Sequence, residues 1–382
     1  MAVASKKREG RDREFPHAML REIYEQPRVI AETVRRNVSG DIIFPGALDR
    51  LESALFAFKK IIIAASGTSR NAGLAGEIMM EDLAGVAVDV EYASEYCYRS
   101  THAGADPIVI VISQSGETAD TIAAQREALN RGAQTVAISN VAESTITREA
   151  TSALITFAGP EKAIPATKSF TAQLTILYLF SLFLARRRGR LTSEVTRSHL
   201  ARLCAIPDRV ERSLTKWDRD AEEYARFYRD AHAFLLLGRG IHYAIAREGA
   251  LKLKELSYVQ AEGLPAGELR HGPNALVDGT LGVIALATRD AADPDSVLRY
   301  QKTLGVLEYV KKHGGHAIAV ATEGDSEIER VAERVLFVPA ASELLLPIVE
   351  VVPLQLFAYH FAVQSGSDVD APRNLVKAVV QE

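Results

Sequence analysis

The sequence has little cysteine. Its 382 residues hold two, Cys97 and Cys204, far apart and in no CxxC or Cys/His cluster. That leaves no disulfide framework and no zinc signature, and fits a reducing, cytoplasmic setting. Neither charge sign dominates: 45 Lys and Arg face 49 Asp and Glu, a net charge of -4. This balance argues against nucleic acid or an anionic membrane as the main partner. The basic start "MAVASKKREGRDREF" is followed by no apolar segment of the kind a secretory signal needs. Long apolar runs are scarce too. The longest, Leu344 to Val363, carries Glu350, His360 and two prolines. It is expected to be a buried helix, with no membrane span. Low-complexity tracts are lacking.

What is present is an ordinary globular composition, 47% hydrophobic and 25% charged. The length suits two domains or one large α/β unit. A helical period runs from about Leu20 to Val38. Then strand-like runs alternate with helices: "KKIIIAAS", "VAVDVEYAS", "DPIVIVIS", "QTVAISN" and "SALITFA", closed by an apolar helix from Lys168 to about Arg186. The second half repeats this order with "AHAFLLLGRG", "TLGVIALAT", "HAIAVATEG" and "RVLFVPA", closed by the run from Leu344. The pattern implies an internal duplication. Near-continuous apolar strands alternating with helices imply parallel sheets covered on both faces. The expected divisions are a basic segment and helix (1–40), a first α/β domain (41–190), a helical connector (191–229), a second α/β domain (230–365) and a tail (366–382).

In open α/β sheets, ligands sit beyond the carboxyl ends of the strands. There the sequence places "SQSGETADT". Ser113, Ser115 and Thr118 supply hydroxyl groups, Gly116 permits a close backbone approach, and a helix N-terminus follows. Two readings stand at this point: a phosphate site, or hydroxyl residues that only cap a helix. No lysine lies in the loop, so it is not a Walker P-loop. A second cluster, "SGTS" (Ser66 to Ser69), ends an equivalent strand, and the two loops can converge on one small ligand.

"REGALKLKELSY" aligns Glu248, Leu251, Lys252 and Glu255 on one helix face. A partly buried Glu255 flanked by Lys252 suits a general base; a solvated salt-bridged face has the same spacing. His271, in "GELRHGP", sits in a turn and suits acid/base work, or is a hydrogen-bonded surface histidine. Lys377, in "RNLVKAVV", is one lysine in a mostly apolar tail, either a desolvated imine-forming amine or an ordinary surface lysine.

Taken in order, "GTSRNAG", "SQSGETADT", "ATKSFTAQL", "EGALKLKELSY", "GELRHGP" and "DAPRNLVKAVVQE" resemble the isomerase half of the glutamine:fructose-6-phosphate amidotransferases (glucosamine-6-phosphate synthases). The resemblance runs from about residue 20 to the C-terminus. It implies two tandem SIS (sugar isomerase) domains, flavodoxin-like three-layer αβα units. It implies a phosphate site at Ser113, Gln114, Ser115 and Thr118, and sugar contacts at Gly67, Thr68, Ser69, Ile164 and Val376. It implies Glu255 as the base moving a proton between C1 and C2, with Lys252 beside it. His271 would open the sugar ring from a neighbouring subunit of a homodimer. Lys377 would form an imine, and the tail would act as a lid. No metal or organic cofactor is implied.

Departures accompany it. Ser66 stands where such enzymes usually carry cysteine, and Gln260 where histidine is frequent. Only a short basic segment precedes "REIYEQP", and neither cysteine fits a glutaminase nucleophile. The expected activity is therefore glucosamine 6-phosphate deamination to fructose 6-phosphate and ammonia. The alternatives are a hexose-phosphate isomerase, an ammonia-dependent synthase subunit served by a separate glutaminase, and a fructosamine-phosphate deglycase. A non-catalytic phosphosugar sensor is the alternative from another class; it predicts a fused DNA-binding motif and missing catalytic side chains.

Overall fold

The computed structural model describes residues 14–51, 58, 60–100 and 107–380. The basic segment before residue 14 lies outside them. The periodic stretch near the start forms two helices, Ala18–Tyr24 and Gln26–Asn37, where the sequence reading expected one. Pro27 stands in the first turn of the second. It has no N–H to donate, and its ring obstructs a continuing turn, so the helix restarts there. A small antiparallel pair follows, β1 (Val38–Ser39) and β2 (Ile42–Ile43).

Two sheets of five parallel strands each form the body of the protein. The first holds β3 (Lys60–Ala65), β4 (Ala87–Tyr92), β5 (Ile108–Ser113), β6 (Gln134–Ser139) and β7 (Ser152–Ile155), in the order β4-β3-β5-β6-β7. The second holds β8 (Ala233–Gly238), β9 (Gln260–Pro265), β10 (Gly282–Ala287), β11 (His316–Thr322) and β12 (Arg334–Val338), in the order β9-β8-β10-β11-β12. Counted within each half, both orders are the same flavodoxin-like arrangement. "IVIVIS" is buried at every position, because helices cover both faces.

β9 was absent from the sequence reading. Its "QAEGLP" is an edge strand with Gln260 and Glu262 exposed, so it carries no apolar signal. Pairing with β8 from Ala233↔Gln260 to Gly238↔Pro265 builds it.

Among the described residues, two helices are long and apolar enough to cross a membrane, Lys168–Arg187 and the Leu346–Gln364 helix with its short preceding turn. Both are interior helices, and their apolar windows are 100% and 89% buried in the protein. One hydrophobic core takes in both of them, together with Gly67–Ala84, His242–Ser257 and Ile206–Phe227. Burial of this kind contributes roughly 25 cal/mol per Å² of apolar surface. The two halves thus share a core, and the His242–Ser257 helix of the second packs on the Gly67–Ala84 helix of the first.

Candidate active site

β3 and β5 are neighbours at the centre of the first sheet, and their carboxyl ends open on one cavity of about 130 Å³. It is lined by Ser66, Thr68 and Ser69 from the first loop and by Ser113, Gln114, Ser115 and Thr118 from the second. Thr121, Ile164, Ala166 and Lys377 complete the wall. Both hydroxyl clusters therefore serve one cavity.

The loop "SQSGET" is held by its own side chains. Ser113 Oγ accepts from Gly116 N at 3.1 Å and lies 3.0 Å from Thr118 Oγ1. Ser115 Oγ accepts from Glu117 N at 3.2 Å. Thr118 is the N-cap residue of the Ala119–Asn130 helix, yet its side chain makes no capping bond. Simple capping therefore does not account for Thr118. Gly116 also has a role within the protein itself. Its φ is +70°, and a Cβ there would lie 2.0 Å from Ser144 Oγ. The missing side chain leaves room for Ser144, so the glycine sets the loop's shape.

Thr121 is a site residue the sequence reading passed over. Its Oγ1 is buried, lacks a hydrogen-bond partner and belongs to a residue on the cavity wall. An unpaired buried hydroxyl carries a desolvation cost that a ligand oxygen would relieve. The helix N-terminus and the Lys377 side chain add further donors to the wall.

Beside the cavity, the His242–Ser257 helix supplies a buried charge cluster. Glu248 and Lys252 have side chains 0% exposed, so the face read as potentially solvated is interior. Glu248 accepts from Thr68 Oγ1 at 3.0 Å and from Asn71 Nδ2 at 2.9 Å. Lys252 Nζ donates to Glu255 at 2.5 Å and to Thr68 Oγ1 at 3.1 Å, and lies 3.4 Å from Glu248. Burial opposes the Lys252 charge, but the Glu255 and Glu248 carboxylates outweigh it and raise its pKa. Burial raises the Glu248 carboxyl, and Lys252 offsets that only in part. Thr68 thus joins the cavity wall to the Lys252–Glu255 pair. Glu248 and Asn71 complete this link; Asn71 lies inside the "GTSRNAG" motif, but the sequence reading does not single it out there.

The tail crosses the same region. Val379 O accepts from Ala119 N at 2.9 Å, and Asp370 O accepts from Ile164 N at 2.9 Å. Lys377 Nζ donates to Glu161 at 2.7 Å and to Ala163 O at 2.7 Å. The Lys377 side chain is 28% exposed and paired, which corrects the expectation of a desolvated amine. Glu161 is fully buried; burial would raise its carboxyl, but Lys377 and the Thr167 and Ser169 amides hold it low.

Residues 54–182 and 227–365 match the SIS domain family. The chain belongs to that family. The isomerizing glutamine–fructose-6-phosphate aminotransferase of Chlorobaculum tepidum is 46% identical to it over 374 residues, 96% of this chain and 59% of that protein. An enzyme of the same name from Thermus thermophilus is 44% identical over 371 residues, again covering 59% of its length. The chain therefore spans about three fifths of these relatives. Among solved structures, the C-terminal domain of glucosamine-fructose-6-phosphate aminotransferase from Francisella tularensis superposes with TM-score 0.86 at 37% identity. That match covers 94% of this chain and 99% of that one. Glucosamine-6-phosphate deaminase of Thermotoga maritima shares the fold, with TM-score 0.69 at 20% identity over 95% and 99% of the two chains.

Within the SIS framework, the cavity gathers Thr68, Ser69, Ser113, Gln114, Ser115, Thr118, Ile164 and Lys377. Lys252 and Glu255 stand behind Thr68. Besides Lys252 and Glu255, three expected residues do not line the cavity. Gly67 turns the backbone at φ +52° between lining neighbours, and Val376 is 63% exposed. His271 ends the short turn Ala266–His271 on the second SIS domain and faces solvent. Among the described residues, no cluster of His, Cys, Asp or Glu has the form of a metal site.

Proposed function

We propose that the chain is a sugar-phosphate isomerase of the amidotransferase type. Its reaction is the interconversion of glucosamine 6-phosphate with fructose 6-phosphate and ammonia. One observation carries this reading: the hydroxyl-lined cavity is joined through Thr68 to the Lys252–Glu255 pair. The names of the 46% and 37% identical proteins support it.

The phosphate binds Ser113, Gln114, Ser115 and Thr118 at the helix N-terminus, with Thr121 as a further donor. That anchor presents the open-chain sugar to Glu255. Glu255 removes the C2 proton and returns it to C1 while the amine gives up one N–H proton and O1 gains one, so the aldehyde becomes an alcohol and C2 a ketimine. Water adds at C2 and ammonia departs. Such positioned proton transfers contribute about 10²–10⁴-fold each. Lys252 fixes the Glu255 carboxylate and balances its charge. His271, supplied by a second copy of the chain, opens the ring. Lys377 acts beside the carbonyl as an ammonium; an imine on it requires the Glu161 contact to break first, because only the free amine is nucleophilic.

The test is ammonia release from glucosamine 6-phosphate by the purified protein. Galactosamine 6-phosphate, fructoselysine 6-phosphate and glucose 6-phosphate are run beside it. Glu255→Gln is expected to abolish turnover and keep phosphosugar binding. Full activity in that variant removes Glu255 as the base. Interconversion of glucose and fructose 6-phosphates without amine release replaces the deaminase reading with a plain isomerase.

A further inference from the structure

The second SIS domain repeats the first strand for strand, so it has its own sheet end where the first has its cavity. Besides Lys377 from the tail, four segments line the first cavity: the ends of the first and third strands, the helix after the third, and the stretch before the last helix. Their counterparts in the second half are all occupied by one polar network, buried at His242 and Glu350 and nearly so at Arg299 and Glu343. His242 follows β8, Thr288 follows β10, Ser296 and Arg299 lie on the Pro294–Lys312 helix, and Glu343 precedes the Leu346–Gln364 helix.

At the centre of this network is the Glu343 carboxylate. Arg299 grips it with two parallel bonds, Nε at 2.7 Å and Nη2 at 2.7 Å. Ser296 Oγ donates at 2.6 Å from the first turn of its helix, and His242 Nε2 lies at 2.9 Å. A bidentate guanidinium, a hydroxyl, an imidazole and a helix N-terminus are the donors that bind a tetrahedral oxyanion or a carboxylate. Glu350, from inside the last helix, accepts from Thr288 and holds His242 Nδ1 at 2.7 Å, which orients the ring. His242 and Glu350 are 0% exposed, and Arg299 keeps a further buried nitrogen, Nη1, with no partner.

We infer that the second SIS domain retains an anion site whose occupant is the protein's own Glu343 carboxylate. The ligand class of the vacated site is inorganic phosphate, sulfate or a small carboxylate. The consequence is that this second sheet end is closed to external anions by an internal group. The inference rests on the network alone and not on the reaction proposed for the first cavity.

The test removes the plug. Phosphate bound per chain is counted by equilibrium dialysis with labelled inorganic phosphate for the wild type, Glu343→Ala, Arg299→Met and Glu343→Ala/Arg299→Met. Glu343→Ala is expected to bind one phosphate per chain more than the wild type, and the double variant to lose that increment. An unchanged count in folded Glu343→Ala overturns the inference. So does a wild-type increment that Arg299→Met removes, since the site would then be open from the start. If Glu343→Ala does not fold, the isosteric Glu343→Gln is melted in phosphate and in chloride of equal ionic strength. Its Tm is expected to rise in phosphate beyond any rise of the wild type; no extra rise also overturns the inference.

Discussion

Replacing Lys252 by Met tests whether the cluster beneath Thr68 is an electrostatic unit. Met keeps most of the volume and removes the charge. Lys252 then no longer meets Glu255 at 2.5 Å, Thr68 at 3.1 Å or Glu248 at 3.4 Å. Glu255 is 21% exposed and reaches water, so its loss is modest. Glu248 is fully buried and keeps only the bonds from Thr68 and Asn71. Removing one partner of a buried pair costs about 3–5 kcal/mol. The Glu248 carboxyl is raised by burial already, and without Lys252 it rises further. An acid whose folded pKa lies above its unfolded one binds its proton preferentially in the folded state. The variant's deficit is therefore largest at neutral pH and shrinks on acidification toward the ordinary carboxylate range. Urea unfolding followed by circular dichroism at several pH values measures this. Lys252→Met is expected to lose roughly 3 kcal/mol at neutral pH with an unchanged m-value. Glu248→Gln added to it is expected to restore about 2 kcal/mol or more, since no buried charge is then uncompensated. A loss under about 1 kcal/mol, or a double variant no more stable than the single one, refutes the reasoning.

Three further outcomes follow from the geometry. Gly116→Ala puts a Cβ 2.0 Å from Ser144 Oγ at φ +70°, so the phosphosugar KM is expected to rise about tenfold or more, at a cost of roughly 1–3 kcal/mol, with Ser144→Gly relieving part of it. Lys377→Met releases the tail from Glu161, and deuterium exchange at the Ala119 amide, which donates to Val379 O, is expected to accelerate while core strands hold. Glu343 is held down to about 2, because His242 and Arg299 outweigh burial; its contribution, about 3 kcal/mol, is complete above the ordinary value of 4.5 and lost as pH falls toward 2, which acid titration of stability measures against Glu343→Gln.

The strands that read clearly in the sequence are those with a single physical cause. "KIIIAA", "IVIVIS" and "GVIALA" are apolar at nearly every position because both faces are covered. β9 failed to register because an edge strand owes its existence to its neighbour's hydrogen-bond ladder and not to its own side chains. The split at Glu25 was legible in Pro27, since a proline inside a periodic stretch marks a new first turn; the period outweighed it.

The site divides along the same line. Hydroxyls at a strand end announce themselves by position, because sheet topology fixes where a strand's carboxyl end points. Burial of Glu248 and Lys252 does not announce itself. The i, i+4 spacing says that two groups share a face, and that spacing is the same on a solvated helix. What decides is the covering helix: Thr68 and Asn71 lie 180 and 177 residues away in sequence. The same holds for Glu350. In the apolar run from Leu344 it reads as an interruption, and the sequence offers no partner for it. The fold brings His242 and Thr288 to it from 108 and 62 residues away. A buried acid in a core helix stays only where donors meet it. Such an interruption therefore predicts that a polar network exists, and only the fold shows whether it is an open site or one the chain has already filled.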